Sequence, residues 1–141
     1  MSQRSRRGFL LSLIVPFTFT AAACAKPSPS QQMANQFIEA YYVQINLKSA
    51  EVLTSGLAKE KLDKQMQLVQ GAGAEPLSEK PRVTFALIKK DSDSADSATY
   101  VYEVRTHVED VGKRMVFVKL RQESGAWKVT QFTEDDAPPT S

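Results

Sequence analysis

The 141 residues suit one domain, and a net charge of +2 with a pI of about 8.7 invites a nucleic-acid-binding reading. Three of the 18 basic residues, Arg4, Arg6 and Arg7, precede residue 24 while all 16 acidic residues follow it, so the body carries one more acid than base and that reading loses its support. Cys24 is the only cysteine, which excludes an internal disulfide, and no later segment approaches the roughly 20 apolar residues of a spanning helix.

The chain opens with three arginines, an apolar run from Phe9 to Phe19 broken by Ser12, Pro16 and Thr18, and the small residues Ala21-Ala22-Ala23. Those are the three regions of a secretory signal, and the run is too short to span a bilayer. Ser5-Arg6-Arg7-Gly8-Phe9-Leu10 resembles the twin-arginine export motif, a receptor-read address. Ala21-Ala22-Ala23-Cys24 resembles the bacterial lipobox, although leucine is commonest where Ala21 stands. The resemblance implies acylation of Cys24 and cleavage before it; ordinary cleavage after Ala23 fits the same residues. Acylation would place the body at the periplasmic or outer-surface side of a bacterial envelope membrane. Residues 24–32 then read as a tether, with Pro27 and Pro29 and no periodicity.

The body is expected over 33–134. Ala34, Phe37, Ile38, Tyr41 and Ile45 share one face of a first helix, and Ser49 can cap a short second one over 50–54. A third helix over 57–70 offers Ala58, Leu62, Met66 and Val69 to a core, and a Gly/Pro-rich loop over 71–76 ends it. The period then changes to two. Strands are expected over 82–90, 99–109, 113–123 and 126–134, with a polar turn at 91–97, a hairpin connection at 110–112 and a turn at Ser124-Gly125. Residues 135–141 read as a disordered tail. Helices followed by hairpin-connected strands predict an α+β domain whose N-terminal helices cover one face of a four-stranded antiparallel sheet.

Three pieces carry a family resemblance: the helix Phe37-Ile38-Glu39-Ala40-Tyr41-Tyr42, the short helix after Asn46-Leu47-Lys48, and the closing Gly125-Ala126-Trp127-Lys128-Val129-Thr130-Gln131-Phe132. Together they look like the nuclear-transport-factor-like (SnoaL-like, ketosteroid-isomerase-like) superfamily. That resemblance implies a curved sheet wrapped around helices as a cone with a cavity, and sheet faces that pair in homodimers. It supplies no single function, because the fold hosts isomerases, dehydratases and bare scaffolds.

Tyr41, Tyr42, Tyr100, Tyr102 and Trp127 are the candidate cavity-lining residues, since amphipathic aromatics line small-molecule sites. The competing reading makes the tyrosines core caps. No acid is expected on the face of Tyr100 and Tyr102, so a cavity there lacks an obvious base. His107, the sole histidine, is a candidate proton carrier, but alternation sets it with Glu103, Arg105 and Glu109 on a wet face. Arg105, His107, Met115 and Phe117 form a candidate interaction face. Asp91-Ser92-Asp93 starts like a calcium loop but lacks its glycine and distal glutamate, so neither a metal nor a cofactor is expected. The resulting expectation is a non-enzymatic envelope lipoprotein that binds a protein partner or a small apolar ligand. The alternatives are a cavity isomerase or dehydratase, or a dimerising component of an envelope assembly.

Overall fold

The computed structural model describes residues 25–73, 79–107 and 112–136. The expected leader with Cys24, part of the expected loop over 71–76, the end of the expected second strand with most of the hairpin connection at 108–111, and residues 137–141 lie outside the described residues. Helix α1 (Pro29–Ile38) continues into one π turn (Glu39–Val43), then α2 (Leu47–Glu51) and α3 (Gly56–Gly71) follow. Strands β1 (Val83–Asp93), β2 (Ser97–Thr106), β3 (Lys113–Glu123) and β4 (Ala126–Asp136) form one antiparallel sheet in chain order. The helices pack on one face of it, which is the α+β architecture expected of helices that precede hairpin-connected strands.

The first helix begins earlier than its apolar stripe suggests. Ser28 is the N-cap, its hydroxyl accepting from Gln31 N, and Pro29 occupies the first turn where a missing N–H costs nothing. Residues 29–32, expected as part of a tether, therefore belong to the helix. The reason is tertiary as well as local. Buried Ser30 stands 2.7 Å from the hydroxyl of fully buried Tyr100, and Ser28 stands 3.0 Å from it. Such bonds each contribute on the order of 1 kcal/mol and tie the chain's entry to β2.

The core runs from Ala34, Phe37 and Ile38 through Ala58 and Leu62 to Tyr102, Val116, Val118, Leu120, Val129 and Phe132. Alternation on β2 and β3 directs Tyr100, Tyr102 and Val104 and their partners Val118, Val116 and Arg114 to the helices. Phe37 is the hub, its ring 4.9 Å from Phe132 and stacked on Tyr41 at 5.7 Å. Ser124 and Gly125, with φ of 50° and 82°, form the tight turn between β3 and β4, a geometry that needs positive φ at both positions.

Two expectations change in the sheet. Strand β1 runs through Asp93, with register irregularities between Leu87 and Lys89 and between Lys90 and Ser92, so part of the expected polar turn is paired strand. Strand β4 runs through Asp136, where the sequence pattern placed the start of a tail. In both cases charged residues continue the ladder after the apolar ones end, because backbone pairing does not require apolar side chains.

Candidate functional site

The π turn is the device that builds the site. Gln44 N bonds Glu39 O at 2.9 Å, five residues back, so one extra residue enters the turn. Such turns interrupt the α-helical stripe and recur at functional positions. Here Tyr41 and Tyr42 become adjacent walls of one groove, their rings edge to face at 4.6 Å. Ile45 follows with φ of 52°, a left-handed conformation that is strained for a β-branched residue. It too lines the groove.

The groove holds about 480 Å³ and its lining is mainly apolar. Leu47, Val83 and Val104 supply its floor and sides. Leu68 and Val69, on the last turns of α3, supply its rim and are 72% and 51% exposed. Val69 was expected in the core. Only Ala58 and Leu62 of that helix are buried, and its C-terminal half faces the groove instead of the packed core.

At one end the groove meets a polar compartment that shares Tyr41, Tyr42, Gln65 and Arg114 with it and adds Lys61, Thr133 and Glu134. The Tyr42 hydroxyl donates to Glu134 Oε1 at 2.7 Å, and Arg114 donates to Glu134 Oε2 at 3.0 Å. The Tyr41 hydroxyl donates to Gln65 Oε1 at 3.0 Å and accepts from Gln65 Nε2 at 2.8 Å. Lys61 Nζ stands 4.0 Å from the centre of the Phe132 ring. Burial, then the hydrogen bond and charge of Glu134, hold the Tyr42 phenol well above its ordinary value. Burial likewise raises Tyr41, partly opposed by its bond to Gln65. Both phenols stay neutral donors across physiological pH.

The structure separates the aromatic candidates. Tyr41 and Tyr42 reach the groove; Tyr100 and Tyr102 are fully buried, with their hydroxyls on the α1 residues Ser30 and Asn35. Those two cap the core beneath α1, and Trp127, half-buried, packs against the same core outside the groove. His107 lies exposed just past β2, its backbone N–H donating to Arg82 O, and lines neither compartment. Its candidacy as a proton carrier is corrected on that ground, because transfer requires contact with the reacting group. Arg105, paired with Glu103, shares the other sheet face with Met115 and Phe117, and the sheet separates that face from the groove. Asp91 and Asp93 are paired with Lys89 and Lys90. Among the described residues no cluster of acids, histidines or cysteines is arranged to hold a metal.

Glu134 overturns the expectation that no acid shares the face of the buried tyrosines. The register runs from Tyr102 to Val116 to Glu134 across three strands, so all three point to the helix side. The signal was present: Glu134 follows Phe132 by two residues and Arg114 precedes Val116 by two. Extending each alternation one step past its last apolar residue finds both.

No protein-family model and no curated protein matches the sequence. Among solved structures, the chain is similar to a ketosteroid isomerase-like protein from Erwinia carotovora atroseptica, at 12% identity over 78% of this chain and 95% of that one, with a TM-score of 0.53. It is also similar to a putative calcium/calmodulin-dependent protein kinase type II association domain from Thiobacillus denitrificans, at 10% identity over 77% and 97%, TM-score 0.56. A third likeness is to an NTF-2-like protein of unknown function from Shewanella oneidensis, at 12% identity over 74% and 94%, TM-score 0.54. At such low identity these likenesses show a shared fold.

Proposed function

We propose that this chain, which has the α+β cone fold of nuclear-transport-factor-like and ketosteroid isomerase-like proteins, is an envelope lipoprotein whose cone mouth binds a small, mainly apolar ligand without transforming it. The observation that carries the reading is the apolar groove of about 480 Å³ between the π turn, the end of α3 and the sheet. A volume of that size with few polar groups is the usual form of a small-molecule site. Binding is favoured over catalysis by the state of the polar groups. Both oxygens of Glu134, the carboxylate of the polar compartment, are already engaged, and both groove phenols are neutral.

The tether limits the distance from the membrane. Four residues from Cys24 to Ser28 reach at most ~14 Å, so an acylated Cys24 keeps the entry of α1 near the membrane. That entry lies against Tyr100, which pairs with Val118, four residues along β3 from the Arg114 of the groove. About 13 Å of strand thus separates the groove from the α1 entry.

Leu68 and Val69 give the direct test, because neither is buried in the free protein. Leu68→Asp with Val69→Asp should weaken binding of the neutral dye N-phenyl-1-naphthylamine about tenfold and leave thermal stability unchanged, by removing about 1–2 kcal/mol of apolar contact. Unchanged dye affinity would reject the groove. The anchor is tested separately by mass spectrometry of the mature amino terminus. An acylated Cys24 is expected, and an unmodified terminus would remove the lipoprotein reading while leaving the groove standing.

A further inference from the structure

Four positions of α3 face the two compartments: Lys61, Gln65, Leu68 and Val69. Their spacing of four, seven and eight residues puts them on one helical face. Along that face the chemistry changes in order from cation to amide to bare hydrocarbon. At 1.5 Å per residue the gradient spans about 12 Å. The opposite wall changes in the same sense, from Arg114 and Glu134 on the sheet to Val104 and Val83.

The polar end carries a surplus of positive charge. Lys61 and Arg114 line it against the single carboxylate of Glu134, and Arg114 already neutralises that carboxylate through one N–H. Among the described residues Lys61 has no ion pair and only the face of Phe132 beneath it. Asp136 stands opposite Arg114 in the β3–β4 register, but it is exposed and lines neither compartment. A cation over an aromatic face and an arginine with unused N–H groups both offer donors to an incoming anion.

We infer that the ligand of this groove is an anionic amphiphile: a single alkyl chain against Leu68, Val69 and Val104, with its anionic head between Lys61 and Arg114. The inference rests on the groove reading above and adds the charge of the ligand to it. No bond is made or broken. Glu134 acts as a positioning residue, holding the Tyr42 hydroxyl and one edge of the Arg114 guanidinium so that its remaining N–H groups stay available to the head.

Three ten-carbon probes that differ only at the head test it: decanoate, decanol and decylammonium, each displacing N-phenyl-1-naphthylamine from the full chain carrying Cys24→Ser, below their micellar concentrations. Decanoate is expected to bind at least tenfold more tightly than decanol, and decylammonium more weakly than either. In Lys61→Gln/Arg114→Gln the decanoate-to-decanol ratio should fall to within about twofold. Lys61→Gln alone, on a half-buried surface position, should reduce the ratio at least threefold and serves if the double variant loses its circular dichroism spectrum. Equal binding of decanoate and decanol, or a ratio that survives both variants, overturns the anionic head and leaves the groove intact. Dye that binds nowhere in the groove, insensitive to Leu68→Asp/Val69→Asp and to all three probes, overturns the groove and this inference together.

Discussion

Replacing Phe37 with alanine lowers the free energy of unfolding by about 3–5 kcal/mol, a large part of the margin of a domain this size. Phe37 is fully buried, and its ring meets those of Phe132 and Tyr41. The cost combines lost transfer free energy with a cavity that cannot close, because α1 is tied at one end by Ser30 to Tyr100 and in its middle by Asn35 to Tyr102. Urea unfolding followed by Trp127 fluorescence measures it, since Trp127 is the sole tryptophan and packs against the core. A loss under 1 kcal/mol would mean that the helix and sheet do not pack through this ring. The same substitution removes the ring on which Tyr41 stacks, so dye binding in the groove should weaken even in the fraction that remains folded.

Raising the pH from 9 to 11 at constant ionic strength should destabilise the domain with an unusually steep slope. Burial is the first cause holding the phenols of Tyr42 and Tyr102 above their ordinary value; Tyr42 is raised further by the bond to Glu134 and Tyr102 by neighbouring Tyr100. Tyr41 is raised in the same sense. In the unfolded chain each ionises near pH 10. Below that value both states keep the proton and pH has no effect through these groups. Above it the unfolded state releases protons that the folded state retains, so stability falls as pH rises until the folded phenols themselves ionise. Each phenol that stays neutral at pH 11 contributes a loss of about 1.4 kcal/mol, or about 3 kcal/mol for Tyr42 and Tyr102 together, with Tyr41 adding to it. Tyr42→Phe and Tyr102→Phe should each flatten the slope, measured as the urea midpoint against pH. A midpoint flat between pH 9 and 11 would show that these hydroxyls are ionised or solvated in the folded protein.

Tyr42 and Tyr102 also show where local pattern stops being informative. Alternation around Tyr100 and Tyr102 correctly put both on one face, yet it could not say whether that face met helix or open space at each row. The answer depended on α1 beginning at Pro29 and laying Ser30 and Asn35 over their hydroxyls. The groove instead formed where α1 gave way to the π turn, and no composition cue marks Glu39–Val43 as a change of helical pitch. Arg114 and Glu134 are the opposite case. Both lie inside the expected strands over 113–123 and 126–134 and their parity is readable, but only the pairing of β3 with β4 shows that they share the face of Tyr102 beside the groove.

By itself the chain determined the α+β class and the antiparallel sheet covered by helices, because periods of 3.6 and 2 are local and survive in any context that buries one face. The turn at Ser124-Gly125 followed for the same reason, since positive φ at Gly125 selects its residue directly. The tertiary structure alone decided which aromatic residues are core and which are groove. Burial of a side chain depends on what a distant segment lays over it, as Val69 shows: it continues the apolar stripe of α3 yet is 51% exposed at the rim of the groove. The polar compartment was decided the same way, by three charges that lie far apart in the chain and meet only where α3, β3 and β4 come together.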